Sequence, residues 1–136
     1  MKPEELMAQA KLAMEKAYAP YSKFQVGAAL LGADGQVYTG CNVENAAYSP
    51  TMCAERVAVG KAVSNGCREF AALAVCGGEN GEIRGLCTPC GVCRQVLSEF
   101  DPAGEMQVIL VNRDGKTKEF TLAELFPCSF GSDNLK

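Results

Sequence analysis

Eight cysteines and not one histidine stand in these 136 residues, and that pair of counts limits both the fold and the chemistry. A chain this size buries roughly two-thirds of its unfolded surface, so its core needs no disulfide staples. No apolar stretch approaches ~18 residues and the opening, Met1-Lys2-Pro3-Glu4-Glu5, is polar, so neither a membrane span nor a signal peptide is expected. Cysteines in such a setting read as metal ligands and small buried hydrophobes, and the expected location is the cytoplasm. The missing histidine excludes Ser-His-Asp and Cys-His nucleophiles, two-histidine zinc proteases and any imidazole base. Chemistry has to come from thiolates, carboxylates and a metal.

The apolar pattern alternates between helical and strand spacing. Leu6, Ala10, Ala13, Met14 and Ala17 predict a helix from Glu4 to Tyr18, ending before Pro20. Phe24 to Leu31 and Val37 to Cys41 read as strands joined by the hairpin signal Ala33-Asp34-Gly35-Gln36. A second helix is expected from Thr51 to Asn65, a buried strand from Phe70 to Cys76, and a connecting loop from Gly77 to Gly85. A third helix is predicted to begin at Pro89 with Thr88 as its N-cap. Strands at 106–111 and 117–120 and one helical turn at 122–126 follow. No linker or repeat divides the chain, so residues 1–136 are expected to form one domain. The order predicts a three-layer α/β/α architecture, a mixed sheet of about five strands covered by helices. Thirteen basic residues against sixteen acidic, with no basic run, argue against a nucleic-acid partner.

Two motifs fall at predicted helix starts: Thr51-Met52-Cys53-Ala54-Glu55-Arg56 and Pro89-Cys90-Gly91-Val92-Cys93-Arg94-Gln95. A C-x-x-C at a helix N-terminus directs two sulfurs to one point, where the helix dipole favours thiolate. Cys53 would supply a third sulfur. Three protein ligands leave a tetrahedral zinc one open position, the catalytic pattern, whereas structural sites close all four. Glu55, two residues from a ligand, is placed to handle protons, as in the three-cysteine zinc deaminases. A redox dithiol would place its C-x-x-C after an early strand, without C-A-E upstream. A closed structural site would need a fourth ligand, for which Cys87 is the candidate. Cys41, Cys67, Cys76 and Cys128 lack paired spacing and read as buried or semi-exposed free thiols.

The sequence resembles the small cytidine deaminases of nucleoside salvage. The likeness runs from Tyr18-Ala19-Pro20-Tyr21-Ser22 through Gly40-Cys41-Asn42-Val43-Glu44-Asn45-Ala46-Ala47-Tyr48 to Leu125-Phe126-Pro127. The resemblance implies a zinc-dependent hydrolase that converts cytidine and 2'-deoxycytidine to the uridine products and ammonia. It implies one zinc per chain on Cys53, Cys90 and Cys93, with a metal-activated water as nucleophile and Glu55 as proton shuttle. Asn42 and Glu44 would hold the ribose hydroxyls, and Phe24 and Ala54 would meet the nucleoside. Tyr48 and Phe130 would reach active sites across subunit interfaces of a homotetramer. Arg56 would draw charge from the thiolates, since three thiolates and one zinc ion sum to −1. A solvated surface arginine is the alternative. The tail departs from the usual family pattern at Phe126, Cys128 and Ser129. A deaminase of another small cytosine compound, such as blasticidin S, shares the two cysteine motifs; Asn42 and Glu44 favour a ribose.

Overall fold

The computed structural model describes residues 1–136. Helix α1 spans Pro3–Met14, and strands β1 (Gln25–Gly32) and β2 (Val37–Cys41) form an antiparallel hairpin. Helix α2 (Ala54–Ser64) leads to β3 (Phe70–Glu79), β4 (Glu82–Ile83) and α3 (Gly91–Glu99). Strands β5 (Gln107–Val111) and β6 (Thr117–Thr121), the turn α4 (Leu122–Leu125) and a 3₁₀ turn at Ser132–Leu135 complete the chain.

The sheet order is β2-β1-β3-β5-β6, with β4 added to the end of β3. Strand β1 runs antiparallel to both neighbours, while β3 and β5 are parallel. It follows that β2, β3 and β5 point the same way. Period-2 alternation divides the interior in two. Ala28, Leu30, Leu73, Val75, Val108 and Leu110 face the core shared with Ala54, Ala58, Ala62 and Leu97 of α2 and α3. Ala29, Ala74, Cys76, Ile109 and Val111 face the core shared with Leu6, Met7, Ala10 and Met14 of α1. Helices therefore cover both faces, and the central strands are apolar on both sides.

Several boundaries differ from expectation, each for a tertiary reason. Helix α1 stops at Met14 because Tyr18 pairs with Val43: its N–H reaches the Asn42 carbonyl at 2.9 Å. Helix α2 begins at Ala54, not Thr51, because Met52 exchanges two 2.9 Å backbone hydrogen bonds with Val43. The segment expected to be a loop from Gly77 to Gly85 instead prolongs β3 and turns back as β4. Asn80 and Gly81 both adopt positive φ (53° and 77°), the two-residue turn that Asn-Gly favours in hairpins. Helix α3 starts at Gly91 with Cys90 as N-cap, so Thr88 does not cap it, and Pro89 lies buried before the first turn.

Candidate active site

Cys53 and Cys90 occupy equivalent places. Each is the extended N-cap of its helix, and neither sulfur is spent on a capping hydrogen bond. N-cap and N3 side chains face each other across a first helical turn, as capping boxes do. On α3 that spacing pairs Cys90 with Cys93, whose sulfurs lie 3.5 Å apart. On α2 it pairs Cys53 with Arg56, whose Nη2 donates to Cys53 Sγ at 3.5 Å and to the Thr51 carbonyl at 3.1 Å. The two helices begin near the C-terminal ends of the co-directional strands β2 and β3, where open α/β sheets place their ligands. The starts meet there: Cys53 Sγ is 3.7 Å from Cys90 Sγ, and all three sulfurs lie within 4.8 Å of one another.

These distances fit a metal. A disulfide would bring sulfurs to about 2.05 Å. A tetrahedral zinc with Zn–S bonds of about 2.3 Å separates its sulfurs by about 3.8 Å. The three thiols thus stand close to the spacing that one zinc ion requires. The Cys53 thiol is held well below its usual range by the hydrogen bond with Cys93 and then by Arg56; the shared hydrogen bond pushes Cys93 the other way. Arg56 is partly buried against the sulfurs, its Nε enclosed without a partner, and is not a solvated surface residue.

Glu55, the second residue of α2, is only 4% exposed. Burial pushes its carboxyl up to about 7, and the neighbouring Cys53 thiolate adds to the rise. A carboxyl poised there can both hold and release a proton at neutral pH. Cys87 is half-buried behind it, its thiol pushed up to about 12 by burial. It is not among the three clustered sulfurs. A Cβ added at Gly77 would lie 2.8 Å from Phe24 Cε1 and 2.9 Å from Cys87 Sγ, so Phe24 and Cys87 both pack against Gly77.

The polar residues of the 42–48 loop are anchored to the segment before β1. Asn42, 8% exposed, donates from Nδ2 to the Phe24 carbonyl at 2.9 Å and accepts from the Val26 N–H at 2.8 Å. Glu44 accepts from the Tyr21 and Ser22 N–H groups at 3.0 and 3.1 Å, and from the Ser22 hydroxyl. Glu44 and Tyr48 line an open pocket of about 360 Å³ with Tyr21, Ser22, Asn45 and Thr51. Tyr48 is 86% exposed and Phe130 57%. Ala54 has no exposed surface, because the first turn of α2 presses onto β2: a Cβ at Gly40 would lie 2.3 Å from the Ala54 carbonyl oxygen. In the sequence Ser22 stood only within the Tyr18–Ser22 motif and Cys87 only as a candidate fourth ligand; the folded contacts give Ser22 its place on Glu44 and Cys87 its place against Gly77.

The remaining cysteines are unpaired. Cys67 and Cys76 are buried, Cys41 is half-buried in β2, and Cys128 is exposed. No helix is long and apolar enough to cross a membrane.

Residues 1–110 match the family model described as cytidine and deoxycytidylate deaminase zinc-binding region. A relative named cytidine deaminase from Sporosarcina psychrophila is 53% identical over 135 residues, covering 99% of this chain and 96% of the relative. One from Halalkalibacterium halodurans is 46% identical over 130 residues, with 96% and 95% covered. The crystal structure of cytidine deaminase from Burkholderia pseudomallei superposes with a TM-score of 0.86 at 46% identity, covering 96% of this chain and 100% of that one.

Proposed function

The chain belongs to the cytidine and deoxycytidylate deaminase family, and from that premise we propose how its residues divide the work. The protein is a zinc-dependent hydrolase that deaminates cytidine to uridine with release of ammonia. We assign the zinc to Cys53, Cys90 and Cys93, one ion per chain. Zinc supplies Lewis acidity there, making water a usable nucleophile near neutral pH.

Glu55 moves the protons. Its buried carboxyl, poised at about 7, takes a proton from the attacking water and places it on ring nitrogen 3, then takes the second proton from the hydroxyl added at carbon 4 and gives it to the departing amine. Arg56 holds Cys53 as thiolate and spreads charge away from the sulfurs. Phe24 packs against the base from the Gly77 side. Glu44 and the second amide hydrogen of Asn42 take the ribose hydroxyls, each side chain already oriented by its backbone partners. A 2'-deoxynucleoside fits the same arrangement. The observation that carries this reading is the convergence of three helix-start sulfurs beside a buried glutamate.

Residues 1–136 act as one catalytic domain in this reading. The exposed rings of Tyr48 and Phe130 find their occupation in a homotetramer, where each closes a neighbour's site and excludes water from the base. Eight unpaired cysteines suit a reducing compartment, and we place the enzyme in the cytoplasm, in pyrimidine salvage. The test is loss of cytidine absorbance on adding zinc-loaded protein, compared across cytidine, deoxycytidine and cytidine monophosphate. Turnover of the two nucleosides with negligible turnover of the nucleotide is expected, because no arginine clamp awaits a phosphate. Sedimentation during dilution tests the assembly: a fully active monomer would overturn the shared site.

A further inference from the structure

The last two residues of the second cysteine motif, Arg94 and Gln95, touch none of the three sulfurs in the hydrogen-bonding of the site. Both reach away from it, to the C-terminal tail. Arg94 Nε donates to the Pro89 carbonyl at 2.8 Å, and its Nη1 donates to the Leu125 carbonyl at 2.8 Å. Gln95 Nε2 donates to the Phe130 carbonyl at 2.9 Å. One guanidinium thus ties the end of α4 to the residue preceding Cys90, and the next side chain ties down Phe130 itself. Between these anchors the chain passes through Cys128 with φ 55°, a left-handed conformation that a non-glycine residue adopts only when its surroundings hold it. The ring of Phe130 remains exposed while its own carbonyl is held.

We propose that Arg94 and Gln95 are positioning residues that fasten the C-terminal tail to the helix bearing Cys93, so that the Phe130 ring is presented in one fixed position to the neighbouring chain's site. The motif then has two halves with separate duties. Its cysteines face the metal, and its Arg-Gln pair faces the tail. This rests on the reading of Phe130 as a ring that closes over bound nucleoside. Without the tether, the ring still exists but samples many positions, and the lost order is drawn from binding.

Gln95→Glu keeps the shape and replaces the donor by an acceptor facing a carbonyl. The variant, Phe130→Ala and the double variant are compared as zinc-loaded full chains, with zinc content and sedimentation measured for each. Gln95→Glu should raise KM for cytidine about 3- to 10-fold, the loss expected for one hydrogen bond, with kcat within about twofold and zinc unchanged. In the Phe130→Ala background the same substitution should add nothing. If Phe130→Ala raises KM and Gln95→Glu does not, the tether is overturned and the reading of Phe130 stands. A full further increment in the double variant overturns it too, since Gln95 would then act independently of the ring. An unchanged KM for Phe130→Ala overturns the reading of Phe130 and the tether together.

Discussion

The Asn42 side chain spans a gap in the backbone: its Nδ2 holds the Phe24 carbonyl at 2.9 Å while its Oδ1 holds the Val26 N–H at 2.8 Å. One amide therefore sets the entry of β1 and the residue whose ring lies against Gly77. Asn42→Ala leaves both backbone groups without their partner in a part-buried place. Stability should fall by about 1–3 kcal/mol in urea unfolding, and KM for cytidine should rise because Phe24 loses its support. A variant with native stability and native KM would remove Asn42 from the site.

Glu55 is tested by a nearly isosteric change. Glutamine keeps one hydrogen-bonding edge but cannot accept and return a proton at neutral pH. Glu55→Gln should keep its zinc and fold, and lose at least ~10²-fold in kcat, the scale of general acid–base catalysis. Normal turnover would assign the proton work to another group.

Two contacts of this site were legible in the sequence because they are short-range, whereas the meeting of Cys53 with Cys90 spans 37 residues and had only the two motifs to point to it. The N-cap/N3 spacing that joins Cys90 to Cys93, and Cys53 to Arg56, is written in consecutive residues. Helix and strand identities followed from periodicity for the same reason. What periodicity could not supply was long-range pairing. The bridges from Val43 to Tyr18 and Met52 trimmed α1 and α2, although apolar spacing continues to Ala17. The β4 hairpin did have a local signal, Asn80-Gly81, but the glycine-rich run around it resembles a loop in composition. The tail contacts of Arg94 and Gln95 cross 31 and 35 residues of sequence, and no local pattern points to their acceptors.

Cys87 and Cys90 separate a three-ligand site from a closed one. Cys87, three residues before Cys90, lies in the loop against Gly77, and burial pushes its thiol up to about 12, so it stays protonated at neutral pH. Cys87→Ser should keep about one zinc per chain, and Cys90→Ser should largely abolish binding, since two thiols hold zinc far less well than three. Metal loss in the Cys87 variant would favour a closed structural site.

The acid side of substrate binding should follow Glu44. The Ser22 hydroxyl, and after it the Ser22 and Tyr21 N–H groups, hold its carboxyl below the ordinary carboxylate range. A group whose folded pKa is depressed makes its contribution in full above the ordinary value of about 4.3 and loses it as pH falls through the lower folded value. Ser22→Ala removes the largest cause and moves the folded pKa upward. The acid limb of kcat/KM for cytidine should move up with it relative to the parent, which carries the same zinc ligands. Coincident acid limbs in the two proteins would show that Glu44 does not govern nucleoside binding.

Gly77 and Gly78 are neighbours in β3, yet a methyl group at each should produce different failures. At Gly77 the added Cβ would meet Phe24 and Cys87 at 2.8–2.9 Å, both of them side-chain atoms able to rotate. At Gly78 it would lie 1.7 Å from the Glu82 carbonyl oxygen, which is backbone and is held by the β4 pairing. Gly78→Ala must therefore break the hairpin, and its effect should appear as a lowered thermal midpoint. Gly77→Ala can be absorbed by tilting the Phe24 ring, and so should raise KM for cytidine with a smaller change in midpoint and with zinc retained. If Gly77→Ala bound cytidine as tightly as the parent, Phe24 would not line the nucleoside pocket, whatever its contact with Gly77.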